Sequence, residues 1–380
     1  MGKDIIYYAI RRMLYIIPSF FLLTIVIFIF LYLMPHQILE SERFSTYYAA
    51  TPSQLNHASL VMGFGLPIPV EYLYFLKTLL LGRWGYSLIT FGANRSLVVY
   101  YGGTVTNALS IFLPYSITLL LISLTIVILM AIPVAIRSGM KPYTMGSNLE
   151  RLFSLVTYSF PVFFTSLLLQ YLFGKGVING NPFGIFPVTG VGIDSTLIKL
   201  QSTSWRSWII FGNNTVPVTY PTHFILLDSL IHGNMILFDA LVMHLILPIT
   251  ALVLGSLAIV IRIIRSSVGA TRNEVYVSTA RAKGVPEKRI IRDHIRKNAM
   301  MISIPSFTFL IPTMIGGLVV VEIIFGYYGI ALFFAYCILQ DQVYGVFYVI
   351  FVLALISLIA NVVIDIIYAS INPRIKRKMR

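Results

Sequence analysis

Residues 13–34 run about 22 positions without a charged side chain, and five further long apolar runs follow, at about 108–136, 149–173, 240–261, 301–325 and 346–370. At about 1.5 Å per residue, a run of this length crosses a hydrocarbon core of roughly 30 Å. Lipid offers the backbone no hydrogen-bond partners, so a lone apolar segment crosses as a helix, which satisfies its own N–H and C=O groups. The expected fold is therefore an all-α integral membrane protein of six transmembrane helices. Composition agrees: 57% of residues are hydrophobic and 11% charged, against about 25% charged in soluble domains.

Lys3, Arg11 and Arg12 before the first run resemble a secretory leader. The run is longer than a leader's apolar region, however, and no small-x-small cleavage site follows it, so it reads as a retained span. Residues 68–81 and 207–227 would have to cross in a model of seven or eight spans. The first carries Glu71 and Lys77, and the second Asn213, Asn214, two prolines and His223. Both read as outer-face elements, interfacial helices among the options. With six spans and a cytoplasmic N-terminus, 21 of the 28 lysines and arginines fall in the cytoplasm and 7 outside. The positive-inside rule thus puts both termini in the cytoplasm. Two long outer segments result, about 35–107 and 174–239.

The formal charge of +14 raises nucleic-acid binding as a question. The cations sit at the ends of apolar runs and in one loop, which is the signature of topology, and no nucleic-acid partner is expected. Cys337 is the single cysteine, so intrachain disulfides and multi-cysteine metal sites are excluded. There is no G-x-x-x-x-G-K-[ST] phosphate loop, no H-E-x-x-H and no G-x-S-x-G, and the six histidines lack ligand spacing. Neither a catalytic residue, a metal site nor a cofactor site is expected.

Prolines punctuate the spans at 18, 114, 133, 161, 248, 305 and 312. They read either as ordinary kinks in a bundle or as breaks lining a translocation path. Polar groups near the spans are Asp239, His244, Glu322, Asn361 and Asp365. Asn361 and Asp365 lie one helical turn apart and are expected to make structural hydrogen bonds between helices; Asp239 and Glu322 are expected at the rim.

The most basic segment lies between two apolar runs. Ten cations fall between Arg262 and Lys297, opposed by Glu274, Glu287 and Asp293. Within it, small residues (Ser278, Thr279, Ala280, Ala282) lead to Gly284 and Pro286, a helix stop followed by a helix start. A first helix is expected over about 266–282, with Tyr276 and Ala280 one turn apart. In the second, Arg289, Arg292 and Arg296 fall on one side and Ile290, Ile291, His294 and Ile295 on the other. Two readings stand side by side: a small-residue face that a protein partner approaches closely, or an amphipathic helix on anionic membrane lipid.

This loop resembles the signature loop of ABC transporter permeases, in which a glutamate–alanine–alanine triplet precedes a glycine at fixed spacing. Ser278, Thr279 and Ala280 stand at the triplet positions ahead of Gly284, with serine in place of the glutamate. YVSTARAKGVPEKRIIRDHIRKNAM is similar to the form found in the first-type (B-type) permease of the dipeptide/oligopeptide/nickel subfamily. RRMLYIIPSFFLLTIVIFIFLYLMP (11–35), GLPIPVEYLYFLKTLLLGRWGYS (65–87), FPVTG (186–190), HLILPITALVLG (244–255), VEIIFGYYGI (321–330) and NVVIDIIYASINPRI (361–375) extend the likeness over nearly the whole chain. The region 190–243 is longer than the subfamily pattern.

The resemblance implies a type I ABC importer permease fold. Residues 1–107 would hold the first transmembrane helix and an outer segment. Residues 108–380 would hold the core permease, with an extracytoplasmic insertion at about 174–239 and a cytoplasmic coupling loop at about 262–300. It implies a subunit that carries no ATPase site of its own and works with a second homologous permease, two cytoplasmic ATPase subunits and an extracytoplasmic solute-binding protein. The substrate it implies is a peptide, with oligosaccharides or nickel as alternatives. The coupling residues it points to are Tyr276, Ser278, Thr279, Ala280, Arg281, Ala282, Lys283 and Gly284. An ion-coupled secondary transporter is the competing class; it would need midplane carboxylates and two repeated halves.

Overall fold

The computed structural model describes residues 2–33, 66–84, 86–91, 99–175, 184–188, 209–211, 214–216, 224–231, 233, 235–340 and 342–371. Asn94 and Asn213, most of the 190–223 stretch and the basic tail from Arg374 to Arg380 lie outside these residues. The helices in chain order are α1 (Gly2–Tyr32), α2 (Ile68–Leu80), α3 (Val105–Met140), α4 (Met145–Ser159), α5 (Val162–Phe173), α6 (Ile225–Ile231), α7 (Met235–Arg272) and α8 (Val275–Ala282). They continue with α9 (Glu287–Ile324), α10 (Ile330–Leu339) and α11 (Val343–Ile371). Five of them (α1, α3, α7, α9, α11) are long and apolar enough to cross a membrane, and the pair α4–α5 makes a sixth if counted as one span. The chain is a multi-pass membrane protein.

Two short antiparallel ribbons interrupt this helical architecture. One pairs Tyr86–Phe91 with Val99–Thr104, in the register Tyr86 opposite Thr104, and the other pairs Ile209–Phe211 with Asn214–Val216. The described part of 207–227 is therefore a ribbon and the start of α6, not an interfacial helix. α2 does form a helix at 68–80, but its 13 residues reach only about 20 Å, too short to cross. It lies against α1 instead, where Tyr72 Oη is 2.9 Å from Thr24 Oγ1 and Phe75 packs on Phe28.

The third expected span, 149–173, is broken at Pro161, one of the prolines marked in the sequence as a kink or a break. α4 and α5 meet at a bend of 102°. Proline disfavours helical angles in the residue before it, and Phe160, ahead of Pro161, is extended with φ −85° and ψ 120°. Pro18, Pro114, Pro133 and Pro248 lie inside unbroken helices, whereas Pro305 opens a tightened 3₁₀ stretch at Ile304–Phe309 within α9.

The core is built on α3 and α7. Val127, Ala131 and Ala135 of α3 are buried with Val260, Ile264 and Val268 of α7. Small residues let helix backbones come close in a membrane, where packing rather than hydrophobicity drives association. At Gly139 the approach is tight enough that a Cβ would stand 2.7 Å from Val268 Cγ1. Around the other end of α3, where α10 and α11 begin, the core turns aromatic: Phe112 stacks on Phe333 and Trp84 on Tyr348, with centroids 5.2 and 5.0 Å apart.

Candidate functional site

α7 has 38 residues and extends about 57 Å, far beyond a hydrocarbon core of roughly 30 Å. α3, with 36 residues, overshoots at the same end. Their C-terminal halves carry Arg137, Arg262, Arg265 and Arg272 and build a basic platform at one end of the bundle. Three contacts fasten it. Arg272 Nη1 donates to the carbonyl of Met140, the last residue of α3, at 2.9 Å, where a cation complements the helix C-terminus. Arg265 Nη1 pairs with Glu150 Oε2 at 2.8 Å, and Ser154 Oγ donates to Glu150 Oε1 at 2.9 Å. The Arg262 guanidinium lies 5.0 Å from the centre of the Tyr158 ring. The last two contacts hold the arm α4 against α7.

α8 rests on this platform. The expected single helix over 266–282 is in fact two: α7 continues to Arg272, and α8 starts anew at Val275 after Asn273 and Glu274. α8 then ends in a Schellman cap. Val285 N–H reaches the carbonyl of Ala280 at 3.2 Å, and Gly284 N–H that of Arg281 at 2.9 Å. Gly284 takes φ +75°, the left-handed conformation that a side chain strains. Pro286 then caps the start of α9, as the spacing predicts.

The orientation of α8 revises one site residue. Val277 and Ala280, three positions apart and so on one helix face, are 0% and 8% exposed, and they join the cluster of Ile264, Val268, Ile290 and Ile295. Ala280 thus faces its own chain rather than outward. An eight-residue helix holds its place only by burying one side, and alanine lets it lie close. The outward face is formed by Val275, Tyr276, Ser278, Thr279, Ala282, Lys283 and Gly284. Arg281, also exposed, makes a bidentate pair with Glu287 (2.8 and 3.1 Å), and this hydrogen bonding raises the pKa of its guanidinium above the ordinary value.

The start of α9 divides as its sequence predicts. Arg289, Arg292 and Arg296 are exposed, and Ile290 and Ile295 are fully buried. The interval between the two isoleucines is five residues because the helix widens to π geometry over Ile291–Arg296. Single π turns are rare and recur at functional sites. No pattern of residue types announces this one.

The intramembrane polar residues behave differently from one another. Asp365 Oδ2 pairs with Arg12 Nη1 at 3.1 Å, an ion pair between α11 and α1. Asn361 Oδ1 is buried without a hydrogen-bond partner among the described residues. Asp239 is exposed. Glu322 lies two residues from the end of α9 and is completely buried, bonded to Ser116 Oγ at 2.5 Å and to Ala331 N–H at 2.7 Å. Sequence reasoning passed over this cluster, whose one sequence signal is the pair Gly326 and Gly329 close behind a carboxylate. Among the described residues no three His, Cys, Asp or Glu side chains gather as a metal site would require.

Comparison with known proteins places this geometry in context. Residues 131–377 match the family model of the binding-protein-dependent transport system inner membrane component. The chain is 27% identical to the oligopeptide transport system permease protein AppB of Bacillus subtilis, over 97% of this chain and 99% of that one. It is 26% identical to the dipeptide transport system permease protein DppB of Escherichia coli K12 (98% and 99% covered). It is 28% identical to the di/tripeptide transport system permease protein DppB of Pseudomonas aeruginosa (97% and 98% covered).

Proposed function

The chain belongs to the binding-protein-dependent transport system inner membrane components, and from that premise we infer that it is a permease subunit of an ATP-driven importer of di- or oligopeptides. The observation that carries this reading is the capped helix α8, held on a basic platform with one face exposed, in a chain similar over nearly its whole length to peptide permeases. The outward face of α8, with Tyr276, Ser278, Thr279, Ala282, Lys283 and Gly284, is the surface offered to an ATPase subunit. Arg281 shapes it from the side, and Ala280 anchors it from beneath.

In this reading the chain makes and breaks no covalent bond and holds no cofactor. ATP is hydrolysed by two separate cytoplasmic subunits, a second homologous permease completes the pathway, and an extracytoplasmic binding protein delivers the peptide. Both termini and α8 are cytoplasmic. Closure of the ATPases pushes on α8, and α7 and α9, which flank it in sequence, convert the push into rocking of the spans. Domain boundaries follow the same plan: 1–107 for the first span and outer segment, 108–380 for the core, with the insertion at about 174–239 and the coupling loop at about 262–300.

The test is reconstitution in vesicles with the partner permease, ATPases and binding protein. Peptide uptake should require ATP and all partners, and the isolated chain should hydrolyse none. Uptake driven by a proton or sodium gradient without ATPase subunits would overturn the reading.

A further inference from the structure

At the end of α9 remote from α8, Glu322 uses its main chain and its side chain for different purposes. Its carbonyl accepts Tyr327 N–H at 2.9 Å, and Gly326 N–H reaches the carbonyl of Ile323 at 3.3 Å, with Gly326 at φ +55°. This is a second Schellman cap, which stops α9 and turns the chain back. The carboxyl group then crosses the turn. Oε2 accepts from Ala331 N–H at 2.7 Å, and Oε1 accepts from Ser116 Oγ at 2.5 Å. The same Ser116 oxygen accepts Ile330 N–H at 2.7 Å. Two of the unpaired N–H groups that open α10 are thereby satisfied, one by a residue of α9 and one by a residue of α3. The acceptor oxygens of this carboxyl group face the N-terminal end of α10, where the helix dipole favours electron-rich atoms.

The space for this arrangement is made by Gly329. A Cβ built there would collide with the Glu322 carboxyl group. Ile330, Ala331, Phe333 and Cys337 of α10 are all fully buried, so the helix is seated as well as tethered. α9 runs from the turn after α8 to this joint as 38 consecutive helical residues, through a π stretch at Ile291–Arg296 and a 3₁₀ stretch at Ile304–Phe309.

We propose that Glu322 is a positioning residue for transport: it locks α10 to the ends of α9 and α3, so that displacement of α8 reaches the opposite face of the molecule as movement of α10. The proposal rests on the permease reading above. It differs from a purely stabilising role because the buried group joins three elements, one of which is the rod leading from the partner-facing helix. Gripped by Glu322, α10 moves with α9. Without that grip α9 rocks alone.

The test uses the full transporter reconstituted in nanodiscs, with spin labels at Leu339 of α10 and at an exposed position of α11, Ile350. In the wild type the label distance should shift between nucleotide-free and ATP-trapped states. Glu322→Gln keeps the shape and one acceptor but presents an amide N–H to the α10 N-terminus. It should abolish the shift and lower peptide transported per ATP by fivefold or more, while basal ATP hydrolysis and complex yield stay near wild type. Ser116→Ala should give a smaller loss of the same kind, and Glu322→Asp should restore part of the coupling. If Glu322→Gln and Ser116→Ala assemble normally and keep both the distance shift and the wild-type transport ratio, the proposal is wrong. If the wild type shows no ATP-driven uptake, the permease reading itself has failed, and that outcome overturns both.

Discussion

Glu150 and Arg265 meet at 2.8 Å with side chains 9% and 21% exposed, and this pair fixes the arm α4 to the projecting end of α7. Removing one partner of a fully buried pair costs about 3–5 kcal/mol, and exposed pairs contribute about 0–1 kcal/mol. With Arg265 one-fifth exposed, Glu150→Gln or Arg265→Ala should cost about 1–3 kcal/mol, between those limits. A double-mutant cycle by thermal unfolding in detergent checks this. Additive single effects would show that the contact contributes nothing of its own.

Gly284 isolates backbone strain, because no atom lies within 4 Å of where its Cβ would be. A left-handed non-glycine residue costs about 1–2 kcal/mol. Asparagine tolerates this region better than alanine, and a β-branched residue is worst. Loss of ATP-coupled uptake should therefore rise in the order Asn, Ala, Val, with chain abundance little changed. An order following side-chain volume irrespective of branching would point to a steric clash with the partner instead.

The two faces of α8 should separate folding from docking. Ala280→Trp overfills the chain's own core, at a typical cost of about 1–3 kcal/mol, and should lower thermal stability and yield. Ala282→Trp and Thr279→Trp lie on the exposed face and should leave stability intact while weakening ATPase co-purification roughly tenfold or more, equivalent to about 1.4 kcal/mol. If α8 lies on lipid instead, Ala282→Trp will be silent and replacement of Arg289, Arg292 and Arg296 will do the damage.

Cys337 is buried, so an impermeant thiol reagent should leave it unmodified and the native background can serve for mapping sides. Met235→Cys, at the exposed start of α7, should be labelled in intact cells. Ser278→Cys should be labelled only after permeabilisation. Labelling of position 278 in intact cells would reverse the orientation.

The spans were legible because their signal is chemical and local: uncharged runs of sufficient length can do little else in lipid. The turn at Gly284–Pro286 was legible for the same reason, each residue acting through its own backbone. Pro161 was marked as a kink or a break, but which proline bends its helix was not legible, because proline only biases its predecessor and four others here sit in unbroken helices. Ala280 was placed on the wrong face because small residues suit a partner's surface and the chain's own core equally well. The burial of Glu322 was missed because its two side-chain partners lie on α3, 206 positions away, and across a turn. Apart from Gly326 and Gly329 close behind it, nothing near it in sequence reports its burial.

The uneven winding of α9 sets how that helix must be scanned. Six residues in 3₁₀ geometry at Ile304–Phe309 turn about 120° further than six in α geometry. The π stretch at Ile291–Arg296 turns less than α, so the two departures oppose each other. The piece between them, Lys297–Ser303, is out of phase with both flanks, while the flanks stay close to phase with one another. An alanine or cysteine series interpreted on one 100° wheel from Glu287 to Ile324 would assign its middle to the wrong face and then read correctly again beyond Leu310. Such a series would show a lapse in periodicity about two turns long, which would otherwise pass for an unstructured hinge.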